Sequence, residues 1–107
     1  MTPWTIEFTK EAEKDRDSLD HTQRLQVNKA ILKVSQNPLP QSEGGYGKPL
    51  GNKNSNNLTG LLKIKLLKLG IRVVYQLIRT DEIMKIIVVA ARADDEVYEV
   101  AAKRINT

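Results

Sequence analysis

The chain has 107 residues, of which 40% are apolar and 28% charged, and its formal net charge is +4. This length fits one domain over residues 1–107, and no apolar run approaches the roughly 18 residues that a membrane span needs. With no cysteine and one histidine, disulfides and thiolate metal sites are excluded, and we expect neither a metal nor a cofactor. No secretory signal is visible, so the expected location is cytoplasmic.

The N-terminal third predicts one strand followed by two helices. "WTIEF" (4–8) alternates between apolar and polar residues, as a strand does. Thr9 can cap a first helix, which is so polar that we expect it to be largely exposed. Asp20 and Gln23 have the spacing of a capping box, which predicts a second helix over about 21–36, ended by the prolines of "NPLP". The expected buried side of this helix consists of its apolar residues Leu25, Val27, Ile31, Leu32 and Val34.

The rest of the chain predicts a long loop, three strands and a closing helix. Residues 37–59 are rich in Gly, Pro and Asn and predict the loop. Residues 61–67 and 71–79 flank Gly70 as a hairpin would, and residues 83–91 are apolar enough for a central strand buried on both faces. The order β-α-α-β-β-β-α predicts an α+β fold, in which the N-terminal strand and an αα-hairpin pack on a small antiparallel sheet.

Positive charge is concentrated in the middle of the chain. Residues 44–80 contain seven basic residues and no acidic one, whereas the flanking segments are close to neutral or slightly acidic. Such a one-signed patch favours a polyanion, with nucleic acid as the first candidate. A solvated face that keeps the protein soluble explains the charge alone equally well.

Strand alternation divides the hairpin into an apolar side and a charged side. Leu62, Ile64 and Leu66 share one face, which we expect to be the core side, and Lys63 and Lys65 share the other. Further charged and polar groups are expected at the same end of an exposed sheet face: Arg72 across the hairpin, Arg92 after the last strand, and Tyr98 in the closing helix. The simpler interpretation is a wet face with Tyr98 as a packing residue of that helix.

Two stretches of the sequence resemble the RelE branch of the RelE/ParE toxin superfamily: "GLLKIKLLKLGIRVVYQLI" and "ARADDEVYEVAAKRI". The resemblance extends over essentially the whole chain. It implies a RelE-like fold and a type II toxin–antitoxin endoribonuclease. Such toxins cut mRNA in the ribosomal A site by attack of the RNA 2′-hydroxyl, without a metal, and so inhibit translation. The family's functional positions carry matching residue types here, at Lys63, Lys65, Arg72, Arg92 and Tyr98.

The chemistry of RNA cleavage suits these residues. Cations stabilise the charge that develops on the phosphorane, and this is the expected role of Arg72 and Arg92. Like charges disfavour the protonated form of a lysine, so we expect Lys65 to act as the general base with Lys63 assisting. Tyr98 would stack on a base or position the 2′-hydroxyl. His21 lies far from these residues in sequence, and we interpret it as a surface or capping residue.

The resemblance also implies partners and leaves alternatives. We expect an acidic, partly disordered antitoxin, bound across the exposed sheet or the helices, besides the ribosome and its mRNA; the free toxin is expected to be a monomer without membrane contact. Lys48, Lys53 and Lys68 are candidates for RNA or ribosome binding.

Two features depart from the family: Leu61 and Leu62 replace an aromatic before the first lysine, and acids follow Arg92. The alternatives are a ParE-like DNA gyrase inhibitor and a catalytically inactive antitoxin-binding module.

Overall fold

The computed structural model describes residues 3–53, 56–91 and 94–105. The elements in chain order are β1 (Thr5–Phe8), α1 (Lys10–Asp17), α2 (His21–Ser35), a 3₁₀ turn (Gln41–Glu43), β2 (Lys48–Lys53), β3 (Asn56–Leu66), β4 (Ile71–Ile78), β5 (Ile83–Ala90) and α3 (Asp94–Ile105). This confirms the predicted order of strands and helices and adds one strand, β2, within the predicted loop. In the part of the chain so described, no helix is long and apolar enough to cross a membrane.

The five strands form one sheet in the order β1-β5-β4-β3-β2. Neighbouring strands are antiparallel except β1 and β5, which pair in parallel with Thr5 opposite Ile83. The sheet is therefore mixed and not wholly antiparallel. Strand β5 lies inside the sheet and is buried on both faces, as predicted: Ile86 belongs to the core on one side and Ile87 to the core on the other.

Helices cover both faces of the sheet. One core packs α1 and α2 against the face that carries Leu62 and Val73, with Ile64 and Leu66 partly buried beside it. A second, smaller core packs α3 against the opposite face, where Leu61 lies. Because Lys63 and Lys65 alternate with Leu62 and Ile64, they lie on the α3 side. The predicted core side of the hairpin is confirmed, but its charged side is partly covered by α3.

The helix starts follow the sequence signals. The Thr9 hydroxyl accepts the Ala12 N–H at 3.0 Å, and the reciprocal bonds of Asp20 and Gln23 complete the capping box. The helix that begins there, α2, has His21 as its first residue, and this histidine is exposed, as predicted.

Two of the five predicted core residues of α2 were assigned wrongly. Val27, Ile31 and Val34 are buried, whereas Leu25 is 48% and Leu32 57% exposed. The buried residues follow the i, i+4, i+7 spacing of one helix face, and Leu25 and Leu32 lie roughly 100–120° around the helix from Ile31.

The segment between α2 and β2 is folded back on the end of the helix. The buried Tyr75 hydroxyl donates to the Pro38 carbonyl at 2.8 Å, and burial raises the pKa of Tyr75 above its ordinary range. Gly47 lies so close to this bond that a Cβ there would collide with the Leu62 side chain and the Tyr75 hydroxyl. The segment is thereby fixed against the sheet.

An ion pair on the surface links the same segment to the end of β4. The Arg79 guanidinium donates two bonds to the Glu43 carboxylate, at 2.9 and 2.7 Å. This pairing holds the pKa of Glu43 below its ordinary value. Residues 37–47 of the predicted loop thus form an ordered segment, which is followed by an edge strand at Lys48–Lys53.

Candidate active site on the basic face of the sheet

The β3–β4 hairpin places three of the predicted site residues on one face of the sheet, here called the basic face. Lys63 and Lys65 are two residues apart on β3, and Lys65 lies directly opposite Arg72 on β4. Side chains opposite each other on antiparallel strands have Cβ atoms about 5 Å apart. Gly70, with φ +66°, closes the turn between the two strands. The register thus brings the two lysines and Arg72 together.

Helix α3 adds a hydroxyl group to this face. The Lys63 Nζ donates to the Tyr98 hydroxyl at 2.6 Å, and it lies 5.3 Å from the centroid of the Tyr98 ring. A charged donor at this distance makes a strong hydrogen bond. The contact joins two residues 35 positions apart in the chain, so it depends on α3 being docked on the sheet.

The burial of Tyr98 contradicts one of its two predicted roles. Only 2% of the residue is exposed, because its ring packs in the α3 core with Val97, Ala101 and Ala102. These residues follow the i, i+3, i+4 spacing of one helix face. In this arrangement the ring cannot stack on a nucleotide base, and its hydroxyl is the group that reaches the site.

A carboxylate on α1 anchors α3. The Asp15 carboxylate accepts bonds from the Arg104 guanidinium at 2.7 and 3.3 Å and from the Val89 N–H at 3.1 Å, and Arg104 also donates to the Ile87 carbonyl at 2.7 Å. Strand β5 pairs with β1 only as far as Ile86, which lies opposite Phe8. Beyond that point the ion pair supplies hydrogen-bond partners for the Ile87 carbonyl and the Val89 N–H of β5. It holds α3, and with it Tyr98, in position.

The structure places the other predicted site residues differently. Arg92 lies outside the described residues. Lys48, at the start of β2, is exposed and lies opposite Lys63, so it extends the basic face toward the sheet edge. Lys68 is exposed in the hairpin turn. Lys53 lies in β2, and its side chain is outside the described part of the structure.

The fold and site can be compared with known proteins. A sequence model described as the ParE toxin of the type II toxin–antitoxin system parDE matches residues 6–96. The mRNA interferase toxin RelE of Escherichia coli K12 is 32% identical over 100 residues, which make up 94% of this chain and 95% of that protein. The chain belongs to the RelE/ParE toxin superfamily. The mRNA interferase RelE of Shigella flexneri matches with the same identity and coverage.

Solved structures of toxins of this superfamily have the same fold. A mutant of E. coli RelE in the free state superimposes with a TM-score of 0.75 at 28% identity, covering 97% of this chain and 99% of that one. The toxin in the intact E. coli RelBE toxin–antitoxin complex gives a TM-score of 0.64 at 27% identity, covering 84% of this chain and 98% of that one. The likeness therefore extends over nearly the whole domain.

A groove beside the basic face was missed in the sequence. It lies between α2 and β3 and has a volume of about 290 Å³. Besides two apolar residues of α2, its lining consists of Lys33, Tyr46, Lys48, Lys63, Ile64 and Lys65; we call it the Tyr46 groove. Tyr46 is 51% exposed, and the Lys33 Nζ lies 5.9 Å from its ring centroid. The only signal in the sequence was an aromatic residue between glycines in "GGYGK", before Lys48.

Proposed function

We propose that this toxin is a ribosome-dependent endoribonuclease that cleaves mRNA in the ribosomal A site and so stops translation. The observation that carries the proposal is the convergence of Lys63, Lys65 and Arg72 on one sheet face, with the Tyr98 hydroxyl bound to Lys63. Relatives named mRNA interferase, at 32% identity over nearly the full length of both chains, support the same activity.

The reaction that suits these groups is an in-line displacement within the RNA. The 2′-hydroxyl oxygen attacks the adjacent phosphorus, the bond to the 5′-oxygen breaks, and the products are a 2′,3′-cyclic phosphate and a 5′-hydroxyl. Lys65, which lies directly opposite Arg72, acts as the general base and takes the proton of the 2′-hydroxyl. Lys63 gives a proton to the departing 5′-oxygen, so the protons balance.

The arginines and Tyr98 have supporting roles in this mechanism. Arg72, which lies opposite Lys65, stabilises the negative charge that develops on the phosphorane oxygens, and by resemblance Arg92 does the same. Tyr98 is a positioning residue: its buried ring is fixed by α3, and its hydroxyl orients the Lys63 ammonium. This role replaces base stacking, which the burial of the ring prevents.

The proposal includes the partners and the place of action. Translating ribosomes are in the cytoplasm, so the toxin would act there. An acidic cognate antitoxin would neutralise it, which is supported by the basic face and by the solved complex of E. coli RelE with its antitoxin.

Ribosomes programmed with a defined mRNA test the proposal. Incubation with the purified toxin should produce cuts within the A-site codon, mapped by primer extension, and the same mRNA without ribosomes should stay intact. Lys65→Ala and Arg72→Ala should each reduce the cleavage rate by about 10²-fold or more while retaining the native circular dichroism spectrum. Lys10→Ala, which removes one exposed charge on α1, is the matched control. Uncut mRNA on ribosomes with wild-type toxin would refute the proposal.

Inhibition of DNA gyrase is a second candidate, favoured by the ParE description of the matching family model. A gyrase poison acts by binding and has no need of lysines aimed at a phosphate, so the composition of the basic face argues for RNA cleavage. A supercoiling assay with purified gyrase separates the two: the nuclease should leave supercoiling unchanged, and a gyrase inhibitor should abolish it.

A further inference from the structure

The Tyr46 groove lies on the α2 side of the sheet, at the edge next to the basic face. Its lining includes Lys63 and Lys65, whose side chains alternate with Ile64 and lie on the α3 side, so an RNA strand on the proposed catalytic lysines reaches the groove by passing round this edge. Strand β2 pairs with β3 only as far as Lys48 opposite Lys63. In the described part of the chain β3 then runs on to Leu66 without a strand on that side, and the groove occupies this edge next to α2.

The charged residues around the groove favour an anion, while Ala30, Val34 and Ile64 supply apolar surface. Four of its lining residues are lysines, one from α2, one from the start of β2 and two from β3, and none of the described lining residues is acidic. Its volume of about 290 Å³ is near the lower end of the range for small-ligand pockets, roughly 300–1,000 Å³. That size suits one nucleotide of a single strand.

Tyr46 gives the groove an aromatic surface on a fixed backbone. The Tyr46 N–H donates to the Asn37 carbonyl at 3.0 Å, and the following Gly47 N–H donates to the Leu39 carbonyl at 2.9 Å. On both sides of Tyr46 the chain passes close to its neighbours, since a Cβ at Gly45 would collide with the Leu39 carbonyl and one at Gly47 with Tyr75. The backbone of Tyr46 is thus fixed beside the groove, while about half of the residue remains exposed to solvent.

Tyr46 is also the one exposed aromatic residue in the described part of the chain. All five aromatic residues of the chain lie in its described part: Tyr75 and Tyr98 are buried, Trp4 and Phe8 pack against the core, and Tyr46 alone is exposed. The residue directly before Lys63 is Leu62, which is buried.

We propose that Tyr46 stacks on a base of the RNA strand beside the cleaved bond, and that Lys33 and Lys48 bind the phosphates next to that base. The proposal rests on the proposed nuclease function, since it assigns a further part of the same RNA to the adjoining groove. Tyr46 and Lys33 would then set the affinity for the strand, while the lysines and arginine of the basic face carry out the cleavage.

Binding of a labelled single-stranded oligoribonucleotide with 2′-O-methyl riboses, which cannot be cleaved, tests the proposal by fluorescence anisotropy. Tyr46→Ala should weaken binding by about 5- to 150-fold, the range for loss of one stacked base, and Tyr46→Phe should bind like the wild type. Lys33→Ala should reduce the magnitude of the slope of the log binding constant against log salt concentration by about 0.7. This is the value for one phosphate contact on a single strand. Leu32→Ala, a neutral substitution of an exposed residue beside Lys33, is the matched control. It should change neither the affinity for the strand nor the salt dependence of binding.

The outcomes separate this inference from the nuclease assignment. If Tyr46→Ala binds RNA as tightly as the wild type, or if the wild type does not bind the strand, the stacking proposal is overturned, whatever the ribosome assay shows. If Tyr46→Ala weakens binding of an acidic antitoxin peptide and leaves RNA binding unchanged, the groove is a protein interface and the proposal is equally overturned. Tyr46-dependent RNA binding without ribosome-dependent cleavage would support the groove and refute the nuclease function.

Discussion

The Lys63 ammonium and the Tyr98 hydroxyl are 2.6 Å apart, and this hydrogen bond is the point at which α3 meets the basic face. Lys63 belongs to a sheet strand, whereas Tyr98 is fixed by the packing of a helix. The orientation of a proposed catalytic lysine is therefore coupled to the docking of α3.

Tyr98→Phe tests this coupling with the least disturbance of the core. The substitution keeps the buried ring and removes the oxygen that accepts from Lys63, so we expect the cleavage rate on ribosomes to fall by about 10- to 100-fold through loss of orientation. The free energy of unfolding should change by no more than about 1 kcal/mol. Cleavage kinetics and urea denaturation give the two readouts, and an unchanged rate would mean that the hydroxyl has no part in the reaction.

Asp15→Asn tests the anchor of α3. The substitution breaks an ion pair whose side chains are only 22% and 21% exposed and weakens the carboxylate bond to the Val89 N–H, so we expect a loss of about 2–3 kcal/mol in the free energy of unfolding. Glu11→Gln is the control, because Glu11 is exposed and its oxygen lies 4.0 Å from the Arg104 Nε. It should cost less than about 0.5 kcal/mol. Equal effects of the two substitutions in urea denaturation would contradict the proposed anchor.

Tyr75→Phe tests the attachment of the segment that carries Tyr46. Loss of the bond to the Pro38 carbonyl should reduce the free energy of unfolding by about 1–2 kcal/mol at neutral pH. Tyr46→Phe, which removes an exposed hydroxyl, should stay within about 0.5 kcal/mol of the wild type.

The same tyrosine predicts an alkaline limit to stability. Burial raises the folded-state pKa of Tyr75 above its ordinary value of about 10. The contribution of the Tyr75 hydroxyl to the free energy of unfolding is therefore complete below about pH 10. It is lost as the pH rises from there toward the folded-state pKa. Urea denaturation between pH 8 and about pH 11 should show a smaller alkaline loss for Tyr75→Phe than for the wild type; parallel curves would count against this assignment.

Local signals in the sequence predicted the elements well where a few neighbouring residues decide the structure. The cap at Thr9, the capping box of Asp20 and Gln23, and the turn at Gly70 all depend on residues within one turn of the chain, and each is observed. Strand alternation likewise predicted the faces of Lys63 and Leu62 correctly.

The parts that were missed depend on contacts distant in sequence. Strand β2 contains Pro49 and Gly51, which lower strand propensity, and it forms because it lies at the sheet edge and pairs with β3. The parallel pairing of β1 with β5 joins residues nearly 80 positions apart. The burial of Tyr98 agrees with the simpler interpretation of this residue as a packing residue of α3, whereas the stacking role came from the family position that it matches.

The most direct test of the account is single-turnover cleavage of an mRNA bound to ribosomes with one defined A-site codon, compared between the wild type, Lys65→Ala and Lys10→Ala. The account predicts a cut within that codon, a 2′,3′-cyclic phosphate at the new 3′ end, a rate about 10²-fold or more lower for Lys65→Ala, and a wild-type rate for Lys10→Ala. Full activity of a folded Lys65→Ala variant, or a product without the cyclic phosphate, would contradict it.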